Sequence, residues 1–101
     1  MKQIENKTTK IPNGKTETGE DKFLTYADLV KAVTNQPQQG GYNITDISMR
    51  LAIQKACDKA NGEIEIEDLR MSYLKSIAKT SKWNAIHEDL EEFLEYIENL
   101  K

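Results

Sequence analysis

Residues 1–22 read MKQIENKTTKIPNGKTETGEDK. Ile4 and Ile11 are the only sizeable aliphatic side chains in this stretch, set among Lys, Thr, Gly and Glu. So little apolar surface does not offset an ordering entropy of roughly 1–2 kcal/mol per residue. The segment is therefore expected to be a flexible polar tail, ordered only by a partner. Residues 23–101 are then left as a single helical domain of 79 positions. A core of that size is marginal unless it packs well or self-associates.

Four helical segments are expected beyond the tail. The first opens at Thr25, with Asp28 three residues on as a variant capping box. Leu24, Ala27, Leu29, Val30 and Val33 form its apolar side. The loop Gln36-Pro37-Gln38-Gln39-Gly40-Gly41 breaks the periodicity. A second helix starts near Thr45 or Asp46 and runs to Ala60, closed by Asn61-Gly62 in a left-handed cap. Met49, Ala52, Ile53, Ala56 and Cys57 make one apolar face. Ile47 and Leu51 point elsewhere, among Arg50, Gln54 and Asp58. The strict alternation Glu63-Ile64-Glu65-Ile66-Glu67 fits at most one very short extended segment at 63–66. It leads into a third helix, where Ile66, Leu69, Tyr73 and Ile77 keep helical spacing to about Thr80. The fourth helix is expected from Trp83 or Asn84 to Asn99, with Ile86, Leu90, Phe93, Leu94, Ile97 and Leu100 as a continuous stripe. The fold class expected from this pattern is all-α, a compact bundle of about four helices behind a flexible N-terminal tail.

Chemistry-bearing motifs are sparse. Cys57 to Asp68 has the outline of a calcium loop, with Gly62 at the sharp turn and Asp68 at the bidentate position. Cys57 and Lys59 stand where the first two oxygen ligands belong, and an ammonium inside such a loop opposes the ion. Gly14-Lys15-Thr16 ends like a phosphate loop but lacks the earlier glycine and the preceding strand. The single cysteine excludes an internal disulfide framework and a Cys-built zinc site. Cys57 on an apolar face reads as an inert thiol, and a nucleophilic pairing with His87, the only histidine, has no supporting pattern. No enzymatic activity, cofactor or metal is expected. The chain has no run long enough to span a membrane and no apolar signal core, so a soluble cytoplasmic protein is expected.

Charge is more informative. The net charge is −3, but it is unevenly placed. Residues 84–101 hold six carboxylates against the single Lys101, a local charge of −5, while the remaining 13 basic and 11 acidic residues give +2. Glu88, Glu91, Glu92, Glu95 and Glu98 share the face opposite the apolar stripe. Like charges at this spacing are mildly unfavourable for a helix, and acids in its last turn oppose the dipole. The acidic face is therefore a candidate partner-binding surface, with Trp83 as a candidate interface anchor. Surplus apolar surface around Ile47, Leu51 and Trp83 is the other candidate. A basic row, Lys75, Lys79 and Lys82, recurs at helical spacing on the third helix. Three lysines in an acidic protein make a weak phosphate-binding surface, so nucleic acid ranks below a protein partner.

Phe23-Leu24-Thr25-Tyr26-Ala27-Asp28-Leu29, the Gln-Pro-Gln-Gln-Gly-Gly loop and the Trp83-led acidic last helix together resemble small helical accessory proteins of tailed phages and prophages. The resemblance covers most of residues 23–100 and implies protein–protein interaction rather than metabolism, in the host cytoplasm. No site residues follow from it. The expected function is a non-enzymatic interaction module that binds a protein partner or itself. A small DNA-binding regulator using Lys75, Lys79 and Lys82 is the alternative.

Overall fold

Ile4 is completely buried. The computed structural model describes residues 1–100 and contains eight elements in that range. Strands β1 (Lys2–Glu5), β2 (Thr8–Lys15) and β3 (Asp21–Thr25) precede helices α1 (Tyr26–Thr34) and α2 (Ile44–Asp58). Strand β4 (Glu63–Ile66) and helices α3 (Asp68–Lys79) and α4 (Glu88–Asn99) follow. The all-α bundle with a flexible tail is therefore corrected to an α+β fold. Four helices are joined by four strands in two antiparallel pairs, β1 with β4 and β2 with β3.

The physical reason lies in long-range pairing. β1 pairs with β4 so that Ile4 stands opposite Ile64 and Lys2 opposite Ile66. Ile4, Ile64 and Ile66 all point into the core, while Gln3, Glu5, Glu63 and Glu65 alternate outward. One isoleucine in a short polar strand cannot order it alone. Two such strands, paired over a common core face, can. β2 and β3 pair less regularly, with shifts around Pro12 that leave Thr9 and Ile11 facing inward. Thr9 Oγ1 donates to the Leu24 carbonyl at 2.7 Å and accepts from the Ile11 amide at 3.1 Å.

Helix α4 completes the docking of the N-terminal strands. Tyr96 Oη accepts from the Glu5 amide at 2.9 Å, Asp89 from the Lys10 amide at 2.7 Å, and Glu92 pairs with Lys7 at 3.1 Å. Beneath these contacts Phe93 is fully buried and meets Tyr26 edge-on, with ring centroids 5.1 Å apart. Leu29, Val30, Val33, Ile53, Leu74 and Ile97 fill the same core.

Local signals set several helix ends correctly. Thr25 caps α1, with Thr25 Oγ1 accepting from the Asp28 amide and Asp28 accepting from the Thr25 amide. α2 starts at Ile44, earlier than expected, because Asn43 and Asp46 form an equivalent box. Gly40 and Gly41 both adopt left-handed backbone, at φ 85° and 83°, which brings the chain round to Asn43. The left-handed cap expected at Asn61-Gly62 is absent. α2 ends at Asp58, and Gly62 instead leads into β4.

The last helix needs the largest boundary correction. α4 begins at Glu88, with His87 as its N-cap and His87 Nδ1 accepting from the Asp89 amide at 3.1 Å. Trp83 and Asn84 lie in the preceding loop, and Ile86 is fully exposed instead of joining the stripe. This shift places Glu88, Asp89 and Glu91 in the first turn, where the helix dipole favours carboxylates. The charge arrangement that looked unfavourable in sequence is therefore partly stabilising.

Candidate interaction surface

Helix α2 buries Arg50 alongside Ile53 and Cys57 and leaves an apolar stripe exposed. Arg50 is only 7% exposed. Its Nη1 donates to the carbonyls of Thr34 at 3.1 Å and Gln36 at 3.2 Å, and its Nη2 to Gln38 Oε1 at 3.0 Å. Its Nε donates to Tyr73 Oη at 3.0 Å, and Tyr73 donates in turn to Asp46 at 3.0 Å. The guanidinium lies 4.7 Å from the centre of the Tyr42 ring, a cation–π distance. Tyr42 Oη donates to the Gln36 carbonyl, and the Lys82 amide donates to Gln36 Oε1 at 2.8 Å. One arginine thus ties the α1–α2 loop to α2 and α3, and Gln36 extends the tie to the loop before α4. The Asn43 amide, then the Tyr73 hydroxyl, hold the Asp46 carboxyl below the usual carboxylate range.

Beside Arg50 on the same helix, Ile44, Ile47 and Leu51 are 79%, 42% and 49% exposed, spaced i, i+3 and i+7 on one stripe. Leu69, at the start of α3, is 71% exposed and lines a shallow cleft of about 370 Å³ with Ile44, Met49 and Arg70. Next to it a groove of about 1190 Å³ runs between α2 and β4. Leu51, Ala52, Lys55 and Ala56 form one wall, and Gly62, Glu63 and Glu65 the other. Scattered exposed aliphatics are ordinary, but a stripe of them joined to a concave groove marks a surface suited to a partner.

The sequence-level candidates fall in different places. Ile47 and Leu51 belong to this surface. Trp83 does not, since it is partly buried against the core, with Nε1 donating to Ser81 Oγ at 2.9 Å. Glu88, Glu91, Glu92, Glu95 and Glu98 are exposed on α4, but Glu92 is engaged by Lys7 and the neighbouring Asp89 by the Lys10 amide. Part of that face therefore holds the N-terminal strands. Lys75 and Lys79 lie on α3, whereas Lys82 lies beyond its end, so the three do not form one helical row. Sequence reasoning missed Arg50, which it placed on a polar side. It also missed Ile44, Leu69 and the strand wall of the groove.

Cys57 is buried, and burial pushes its thiol up to about 12. His87 caps α4. At pH 8 a thiol at that value carries about a thousandfold less thiolate than one at its ordinary value near 9. Iodoacetamide labelling of the native protein is therefore expected to be at least a hundredfold slower than in denaturant, and rapid native labelling would contradict this burial.

Among the described residues no cluster of His, Cys, Asp or Glu is arranged to hold a metal ion, and no helix is long and apolar enough to cross a membrane. No protein-family description, curated protein or solved structure matches the chain.

Proposed function

We propose that this chain is a non-enzymatic protein-interaction module of the kind found among small accessory or inhibitor proteins of tailed phages and prophages. It engages its partner through the exposed apolar face of α2. The observation that carries this reading is the joined surface of Ile44, Ile47, Leu51 and Leu69 beside the α2–β4 groove. Partly exposed aliphatic side chains flanking a concave surface gain roughly 25 cal/mol for each Å² removed from water, and a partner supplies that burial. The clamp around Arg50 holds α2 in place, so little ordering cost falls on binding.

Affinity capture with the full chain as bait tests this. Leu51 is half exposed and glutamate is a good helix former, so Leu51→Glu preserves the fold. That variant is expected to weaken retention of the captured partner about thirtyfold, as for loss of an interface anchor. Glu91→Gln with Glu95→Gln is expected to leave retention unchanged. Retention insensitive to Leu51→Glu and lost in the glutamine variant would transfer the role to the acidic face of α4.

A further inference from the structure

The strand wall of the groove carries more than side chains. The Asn6 amide donates to the Gly62 carbonyl at 3.0 Å, which marks residues 6 and 62 as a hydrogen-bonded pair of the β1–β4 ladder. Pairs alternate in an antiparallel ladder, so Ile4 with Ile64 and Lys2 with Ile66 are also hydrogen-bonded. Glu63 and Glu65 fall in the alternate pairs, and their backbone groups point away from β1. The edges of this sheet differ. On the β1 side the Glu5 amide is taken by Tyr96. On the β4 side the Glu63 carbonyl is met only by the Asn61 amide at 3.4 Å. The Glu63 and Glu65 amides and the Glu65 carbonyl have no partner among the described residues, and both residues line the groove beside α2.

We infer that the free edge of β4 takes up an extended segment of another protein as an added strand, with basic and apolar residues alternating along it. This rests on the interaction reading above and names the partner's chemistry. An added strand pairs with the Glu65 amide and carbonyl, which supplies affinity without regard to side chains. Specificity comes from the alternation. Positions across from Glu63 and Glu65 lie over the outward side of the sheet, where carboxylates favour Lys or Arg opposite them. Intervening positions lie on the side of Ile64 and Ile66 and meet Leu51, Ala52 and Ala56 of α2. Lys55 and Lys59 on the helix wall repel a basic residue turned that way, so the charges also select the strand's facing.

A second copy of the chain does not suit this edge. Antiparallel pairing of β4 with itself about Glu65 sets Glu63 against Glu67 and Glu65 against Glu65. Like charges placed directly opposite are destabilising, and an edge so charged resists self-pairing.

The full chain, labelled with ¹⁵N, is titrated with an end-capped heptapeptide alternating lysine and valine. Saturable shifts at Glu63 and Glu65 are expected, together with slowed hydrogen exchange of the Glu65 amide. Glu63→Lys with Glu65→Lys is expected to weaken this peptide about tenfold and to favour one alternating glutamate and valine. Glu65→Pro removes the outward donor while leaving the ladder to β1 intact, as proline at a strand edge can. It is expected to abolish peptide binding with the far-UV circular dichroism spectrum unchanged. No saturable shift, shifts confined to α2 and α3, or full binding by Glu65→Pro would each overturn strand addition. The reading of the α2 face stands or falls separately, on the Leu51→Glu capture.

Discussion

Deleting residues 1–22 is expected to abolish cooperative unfolding of the remainder. Ile4 is fully buried and Ile11 nearly so, and burying one such side chain stabilises a protein by about 1.5–3 kcal/mol. The deletion also uncovers Ile64 and Ile66 along β4, leaves β3 unpaired, and strips Tyr96, Asp89 and Glu92 of α4 of their partners. These losses together reach the scale of the whole stability of a small domain, about 5–15 kcal/mol. The graded counterpart is Ile4→Ala, expected to lower unfolding free energy by about 2–4 kcal/mol. Urea denaturation followed by far-UV circular dichroism checks both. A fragment of residues 23–101 that melts cooperatively near the full-length midpoint would restore the polar-tail reading.

Arg50→Ala carries the second large effect, a loss of about 2–4 kcal/mol. The guanidinium satisfies the carbonyls of Thr34 and Gln36, the amide oxygen of Gln38 and the hydroxyl of Tyr73 at once. Truncation removes the guanidinium from all four; the Gln36 carbonyl keeps the Tyr42 hydroxyl, but the buried Thr34 carbonyl loses this donor. Arg50→Lys is expected to recover less than half of the loss, because one ammonium cannot reproduce a planar fork directed at four acceptors. Asp46, at the edge of this network, gives it a pH signature. Its carboxyl is held below the ordinary range in the folded state, so its contribution is complete above pH about 4 and fades as pH falls through the lowered value. Wild type is thus expected to lose stability in acid more steeply than Asp46→Asn. Equal acid profiles would show that Asp46 contributes no such linkage.

Local chemistry was legible in the sequence, and distant pairing was not. Thr25 with Asp28 identified the start of α1, and the Glu-Ile alternation identified an extended segment at 63–66. What that alternation could not reveal was its partner, which lies some sixty residues earlier in a stretch whose composition reads as disordered. A lone isoleucine such as Ile4 carries no periodic signal, and its burial follows only from Ile64 across the ladder. The same limit hid Arg50. It sits between Met49 and Leu51 with an ordinary surface composition around it, and its burial is decided by Tyr42, Tyr73 and the Thr34 and Gln36 carbonyls. On the last helix, a start at Trp83 or Asn84 puts Glu88 and Asp89 beyond the first turn. The cap by His87 places them in the first turn instead. Ile47 and Leu51 were visible as apolar residues off the main face. The groove beside them required β4.

Amide hydrogen exchange along β1 and β4 tests the central claim most directly, that the N-terminal strand closes one edge of β4 and leaves the other open. The fold predicts slow exchange at Ile4, Asn6, Ile64 and Ile66, whose amides join the ladder, and fast exchange at Glu63 and Glu65, whose amides face the groove. Exchange at Ile4 and Asn6 as fast as in an unstructured chain would contradict it, as would uniform protection along β4.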